Sequence, residues 1–106
     1  MAKAERIQKV NSLLVKEISE IILRKIDFPK NIFVTVISAN VSKDLQKVDI
    51  FLAVFPEKEK DKCLEVLNKN IYKIQKILDK KLKMKPVPKI VFKLIDVIRT
   101  ISLENS

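Results

Sequence analysis

The sequence contains no glycine, no histidine and no tryptophan, and it has a single cysteine, Cys63. Without histidine, the commonest general base and the commonest neutral metal ligand are missing, and one cysteine alone does not make an ordinary zinc site. Without glycine, phosphate-cradling P-loops and dinucleotide-binding turns are excluded, because both need backbone that carries no Cβ. We therefore expect no enzyme activity, no metal and no cofactor.

Charge is the strongest bulk signal in the sequence. The 22 basic and 13 acidic residues give a formal net charge of +9. A balance of this kind predicts an anionic partner, of which nucleic acid is the first candidate and an anionic membrane surface the second. No apolar run approaches the roughly 20 residues of a membrane-spanning helix, and residues 1–11 lack the apolar core of an export signal. We expect a cytoplasmic monomer that does not enter a membrane.

The first half of the chain predicts a helix followed by a β-hairpin. Residues 3–26 carry apolar side chains at helical spacing, with charged residues between them. Residues 32–41 and 47–55 are rich in β-branched and aromatic side chains, and the turn-forming Asp44 lies between them. These two segments therefore predict a pair of antiparallel strands.

The second half predicts a long helix and one more strand. The helical pattern begins after Pro56 and runs about 27 residues, which is long for a globular helix, so we expect a break near residues 68–70. Residues 89–95 predict the third strand, and residues 97–106 a loosely held tail or short helix. Cys63 lies near the apolar stripe of the long helix, where it is expected in the core.

These elements predict one α+β domain, residues 1–96, followed by the tail. The strand–helix–strand crossover makes its two strands parallel, whereas the hairpin supplies an antiparallel pair. We expect a small three-stranded mixed sheet with helices packed on one face. The phenylalanines of the strands are expected in the core: Phe33, Phe51, Phe55 and Phe92.

Basic residues are concentrated in the second half. Nine lysines lie between Lys69 and Lys93, where Asp79 is the only acid. Helical spacing places four of them on one face, as a strip that would follow a phosphate backbone or simply be solvated. Lysine far outnumbers arginine, which favours backbone contacts over base reading. The candidate RNA-binding residues are Lys69, Lys73, Lys76, Lys80, Lys81, Lys83, Lys85 and Lys89, with Lys3, Arg6 and Lys9 as a second group.

Short segments between Glu5 and Asp96 occur in an order that is typical of one protein family. They include Lys16-Glu17-Ile18, Val34-Thr35-Val36, Val41-Ser42-Lys43-Asp44-Leu45, Val48-Asp49-Ile50-Phe51, Leu67-Asn68 and Val87-Pro88-Lys89-Ile90. In this order and at these distances they resemble the ribosome-binding factor A family. The similarity covers nearly the whole chain.

The resemblance implies a type II KH-like fold, αββααβ, without the GxxG loop by which ordinary KH domains hold RNA. It also implies binding to the 30S subunit and its 16S rRNA during late maturation and pre-rRNA processing, often tied to growth in the cold. No bond-making chemistry is implied. The basic surface of the family corresponds to Lys76, Lys80, Lys81, Lys83 and Lys85. A generic basic RNA-binding domain and a membrane-surface domain remain the alternatives.

One position departs from the family pattern. The family usually breaks its second helix at an Ala-x-Gly sequence, and the matching residues here are Asn70-Ile71-Tyr72. A break at Asn70 is compatible with the sequence, whereas Tyr72 cannot adopt a glycine-only geometry cheaply. The helix break is therefore assigned to Asn70 and Tyr72, with its persistence left open.

Overall fold

The computed structural model of the protein describes residues 3–96. Its elements are α1 (Lys3–Lys25), β1 (Phe33–Val41), β2 (Lys47–Phe55), a short 3-10 helix (Glu57–Glu59), α2 (Lys60–Lys69), α3 (Ile71–Lys81) and β3 (Lys89–Leu94). The predicted αββααβ order is confirmed. The predicted tail, residues 97–106, lies outside the described residues.

The three strands form one mixed sheet in the order β1-β2-β3. Strand β1 pairs with β2 in antiparallel orientation, and β3 pairs with β2 in parallel orientation. The register of the hairpin shifts between Val36 and Ser38, which leaves Ile37 as a bulge. The predicted mixed topology is therefore confirmed, with β2 at the centre and an edge strand on each side.

The hairpin loop is held by the side chains of Ser42 and Asp44. The Ser42 hydroxyl donates a hydrogen bond to Asp44 Oδ1 at 2.6 Å, and the backbone N–H of Gln46 donates to the same oxygen at 3.1 Å. These two bonds hold the pKa of the Asp44 carboxyl below its ordinary value, and the bond from the Ser42 hydroxyl has the larger effect. Leu45 completes the loop with a φ of 61°. The predicted turn role of Asp44 is confirmed.

The core lies on one face of the sheet, beneath the three α-helices. Strand β2 buries every second side chain there, from Val48 to Val54. The helices contribute fully buried leucines and isoleucines, each stabilising the fold by about 1.5–3 kcal/mol. Cys63 of α2 is also fully buried, as the sequence predicts, and desolvation raises the pKa of its thiol to about 11. The core side chains of the helices include Leu14, Ile18, Ile21, Leu67, Ile74 and Leu78.

The prediction that all four strand phenylalanines lie in the core is wrong for three of them. Phe92 is buried, but Phe51 is only partly buried, and Phe33 and Phe55 are 66% and 70% exposed. Side chains alternate along a strand, and the three phenylalanines fall on the alternation that points away from the helices. Strand character is local, whereas the choice of buried face depends on where the helices pack.

Candidate RNA-binding surface

The helix that precedes β3 is broken at Asn70, as the sequence predicts. Asn70 has φ −105° and ψ 5°, so it links α2 and α3 without a left-handed conformation. Its side-chain Nδ2 donates to the Val66 carbonyl oxygen at 2.8 Å, and its own carbonyl oxygen accepts from the Ile74 N–H at 2.9 Å. A short polar side chain that bonds the backbone locally competes with continuation of the helix. The break therefore exists without glycine.

Tyr72 is not part of the break geometry. It lies in the first turn of α3 with regular helical structure, and its side chain is 80% exposed. Because an α-helical residue needs no positive φ, a tyrosine is accommodated where the family usually has glycine. The departure of Tyr72 from the family's glycine therefore does not prevent the helix break at Asn70.

The break changes the expected lysine face. Lys69 is the last residue of α2, whereas Lys73, Lys76 and Lys80 belong to α3. The expectation that all four share the face of one helix is therefore wrong for Lys69, because the helical register ends at Asn70. The three α3 lysines do lie opposite the apolar side of the helix, which is formed by Ile74 and Leu78.

Two of the candidate lysines contact α1. The Lys73 ammonium donates to the Lys25 carbonyl oxygen at 3.1 Å, at the C-terminal end of α1, where the helix dipole favours a cation. The Lys81 ammonium lies 3.6 Å from the Glu17 carboxylate. The two contacts run in opposite directions along the two helices, so α1 and α3 are antiparallel. Lys73 and Lys81 therefore both contact α1 and contribute positive charge to the surface.

The outer side of α3 carries uncompensated charge. Lys76 and Lys80 are one helical turn apart, and Tyr72 lies one turn before Lys76. Lys83 follows just after the helix end and is also exposed. Among residues 3–96, no acidic side chain pairs with Lys76, Lys80 or Lys83. We call these four residues, Tyr72, Lys76, Lys80 and Lys83, the α3 ridge.

Asp79, the nearest acid in sequence, forms no salt bridge with the lysines of the α3 ridge. The Asp79 carboxylate accepts a hydrogen bond from Gln75 Nε2 at 3.1 Å, on the β3 side of the helix. The backbone carbonyl of Asp79 accepts from the Lys85 ammonium at 3.0 Å, so Lys85 caps the C-terminal end of α3. Lys85 is therefore a helix-capping residue in this structure rather than an open cation of the ridge.

The remaining candidates lie on other parts of the molecule. Lys89 is in β3, opposite Lys47 in the register, on the sheet face that points away from the helices. Lys3, Arg6 and Lys9 lie in the first turns of α1, about 12–21 Å along the helix from Glu17. Since Lys81, the last residue of α3, pairs with Glu17, this group lies beyond the end of α3 and does not join its ridge.

Sequence reasoning missed one structural side chain in this region. Gln75 bonds the backbone of β3 and so sets where α3 lies relative to the sheet edge. In the sequence, Gln75 is marked only by its position on the helix, between the apolar stripe and the lysines.

Among residues 3–96, no helix is both long and apolar enough to cross a membrane.

The fold and the basic surface together define a class of protein. An αββααβ order around a mixed three-stranded sheet, with a basic ridge and no glycine clamp, is a KH-like α+β domain.

Sequence comparison then identifies the family. The family model of ribosome-binding factor A matches residues 6–102. Ribosome-binding factor A from Halothermothrix orenii is 36% identical over 95 residues, which cover 89% of this chain and 78% of that protein. The Chlamydia pneumoniae protein of the same name is 33% identical over 100 residues, covering 92% and 83%. The chain belongs to the ribosome-binding factor A family.

Solved structures confirm the fold. The crystal structure of ribosome-binding factor A from Thermus thermophilus has a TM-score of 0.72 at 20% identity, covering 83% of this chain and 94% of that one. A homology model of the Thermus thermophilus protein, fitted into the cryo-EM map of a 30S complex, has a TM-score of 0.67 at 21% identity, covering 78% and 88%. The similarity covers most of this chain, so it supports the KH-like class.

Proposed function

We propose that this protein binds the 30S ribosomal subunit and its 16S rRNA, acting in the cytoplasm during late subunit maturation and pre-rRNA processing. The observation that carries the proposal is membership of the ribosome-binding factor A family over nearly the whole chain. The Thermus thermophilus relative has been fitted into the map of a complex with the 30S subunit. The role is one of binding and involves no bond-making chemistry.

The α3 ridge is the proposed contact with rRNA. Lys76, Lys80 and Lys83 carry exposed ammonium groups without acidic partners among residues 3–96, and each phosphate that such a group neutralises releases counterions. Tyr72 offers an exposed ring on the same side, on which an unpaired base can stack. Lysine is a point charge on a flexible stem, so the ridge recognises backbone and shape rather than base edges.

Lys73 and Lys81 have a second role in this proposal. Each has a partner on α1, the Lys25 carbonyl or the Glu17 carboxylate. These exposed contacts add to the buried packing of α3 and α1 in the common core, and the two lysines add to the local positive potential. A rigid ridge presents its charges to one arrangement of rRNA better than to another. The protein then favours one conformation of the maturing subunit, by no more than its difference in affinity for the two.

A membrane-surface role is less compatible with the structure. An interfacial anchor needs a helix whose apolar face is free to enter lipid. The apolar stripe of α1 is buried against the sheet, with Leu14 and Ile18 fully enclosed. A generic basic RNA-binding role predicts equal affinity for any structured RNA, which a comparison of 30S subunits with an unrelated structured RNA separates from subunit binding.

The test compares two variants of equal net charge. The ridge variant carries Lys76→Glu, Lys80→Glu and Lys83→Glu, and the control carries Lys30→Glu, Lys43→Glu and Lys58→Glu, three lysines on other parts of the chain. Lys81 is left unchanged, because a glutamate there would face Glu17. Sedimentation with purified 30S subunits should be lost for the ridge variant and largely retained by the control. Unchanged sedimentation of the ridge variant, or equal loss in both, would contradict the proposed site.

Salt dependence and cell physiology give two further readouts. If six to ten phosphates are contacted, affinity for the subunit falls by roughly three to five decades between 50 and 200 mM salt. A strain without the protein should accumulate precursor 16S rRNA and grow poorly in the cold. The control variant should restore normal rRNA processing and normal growth in the cold. Normal rRNA processing in that strain would refute a role in maturation.

A further inference from the structure

The sheet has a second face, which points away from the helices. Cross-strand register places its side chains in rows. We call this surface the open sheet face. Its rows are Phe33 with Phe55, Thr35 with Ala53, Ser38 with Phe51 and Lys93, Asn40 with Asp49 and Val91, and Lys47 with Lys89.

One end of the open sheet face is aromatic. Phe33 and Phe55 are direct cross-strand partners, and both rings are mostly exposed. Phe51 lies on the same face, about 13 Å from Phe55 along β2. Cross-strand ring contact explains the pairing of Phe33 with Phe55, but it leaves the outer surface of both rings in water. A planar apolar partner would cover that surface.

The other end is basic. Lys47 and Lys89 are neighbours in the β2–β3 register, and neither forms a salt bridge within residues 3–96. The pKa of Asp44 in the hairpin loop is lowered chiefly by the Ser42 hydroxyl and, to a smaller extent, by the Lys47 charge. Like charges placed directly opposite each other on a sheet are destabilising, and a bound anion would relieve the repulsion. The third lysine, Lys93, lies beside Phe51 and pairs with Asp49 at 3.2 Å. The described part of the face therefore carries three cations against one carboxylate.

We propose that the open sheet face binds an unpaired segment of RNA, with bases stacked on Phe33, Phe51 and Phe55 and phosphates held by Lys47 and Lys89. The inference rests on the proposed function for its ligand class and adds a surface separate from the α3 ridge. From Phe55 to Lys47 the face extends about 27 Å along β2. A surface of this length suits a short single-stranded segment of about four nucleotides, the size of the smallest known single-strand sites.

Charge distinguishes this occupant from a second copy of the chain. Two open sheet faces in contact would bring the Lys47–Lys89 pair of each copy toward a surface that is itself positive, on chains of formal net charge +9. Phosphates supply the complementary charge, and bases supply planar rings. Both features of the surface are then satisfied by one ligand.

The experiment measures binding of the full chain to a 12-nucleotide uridine RNA and to a 12-base-pair RNA duplex by fluorescence anisotropy. The test variant carries Phe33→Leu, Phe51→Leu and Phe55→Leu, which keeps apolar side chains but removes the rings. Stacking on even one ring predicts about a tenfold loss of single-strand affinity. Duplex affinity should change less than about twofold, because paired bases are not available to stack. The matched control is Leu23→Ala, an 81% exposed apolar residue of α1.

Salt dependence provides an independent readout of the same surface. The leucine variant should keep the wild-type slope, since no phosphate contact is removed. Lys47→Gln with Lys89→Gln should reduce the single-strand slope by about 1.4, that is 0.7 for each of two phosphates. Unchanged single-strand affinity in the leucine variant would overturn the inference, and so would an equal loss on duplex. Thermal unfolding of each variant identifies a loss caused by misfolding.

Failure of this inference is separable from failure of the proposed function. If the leucine variant binds single strands normally while the ridge variant loses the 30S subunit, only the open sheet face is wrong. If the ridge variant keeps the subunit while the leucine variant loses single-strand affinity, the α3 ridge is wrong and the open sheet face stands.

Discussion

Gln75 of α3 and Ile90 of β3 are joined by a hydrogen bond in which the Gln75 side-chain Oε1 accepts from the Ile90 N–H at 2.9 Å. The Nε2 of the same amide donates to the Pro88 carbonyl oxygen at 3.0 Å. The two bonds imitate the pairing that another strand would provide at this edge of the sheet. They also fix the distance between α3 and the sheet, so they position the α3 ridge.

Removal of the Gln75 amide should destabilise the fold. Gln75→Leu keeps the size of the side chain but leaves the Ile90 N–H and the Pro88 carbonyl without this partner in a partly buried region. We expect the free energy of unfolding to fall by about 1–3 kcal/mol, measured by urea denaturation. The neighbouring Lys76→Ala serves as control and should change it by less than about 0.5 kcal/mol. Equal stability of Gln75→Leu and wild type would show that the amide does not anchor β3.

The helical conformation of Tyr72 predicts a difference between two small substitutions. Tyr72→Gly and Tyr72→Ala both remove the exposed ring and differ only in backbone freedom. Because position 72 is inside α3, the glycine variant should be less stable than the alanine variant by about 1 kcal/mol. Thermal or urea unfolding of the pair measures this difference. A glycine variant as stable as the alanine variant would mean that position 72 belongs to the break.

The hairpin loop predicts a contribution to stability that is lost in acid. The pKa of Asp44 is lower in the folded chain than in the unfolded chain, chiefly through the Ser42 hydroxyl. The ionised carboxylate therefore stabilises the fold above roughly pH 4, and this contribution disappears as the pH falls through the folded pKa. The melting temperatures of wild type and Asp44→Asn should differ at pH 6 and converge toward pH 2.

Ser42→Ala provides the control for this pH effect. It removes the first cause of the shift, so an NMR titration should show a higher pKa for Asp44 than in wild type. A gap between wild type and Asp44→Asn that stays constant down to pH 2 would exclude the carboxylate as its source.

The burial of Cys63 predicts an unreactive thiol. The side chain is fully buried in α2, and its pKa of about 11 keeps the thiolate scarce at neutral pH. Ellman's reagent at pH 8 should react slowly with the folded protein and at the rate of a free thiol in 6 M guanidinium chloride. Because Cys63 is the only cysteine, the absorbance reports on this position alone. Fast reaction of the folded protein would indicate that α2 opens readily.

Local features of the sequence determined most of the secondary structure. The predicted strands 32–41 and 89–95 correspond to Phe33–Val41 and Lys89–Leu94, and the break expected near residues 68–70 occurs at Asn70. Apolar periodicity, turn chemistry and the choice of asparagine act within a few residues, so they can be read along the chain. The density of lysine after Lys69 is likewise a property of the sequence alone.

Tertiary structure alone decided which of these side chains are available. Lys73 is hydrogen-bonded to a carbonyl 48 residues away, and Lys81 pairs with Glu17. Lys76 and Lys80 belong to the same run of lysines in the sequence, but neither has an acidic partner among residues 3–96. Phe33 is exposed because the helices cover only the opposite face of the sheet, which is likewise decided by how the elements pack. Partners distant in sequence meet only when the elements pack, so periodicity predicts the helices and strands but not the surfaces they leave open.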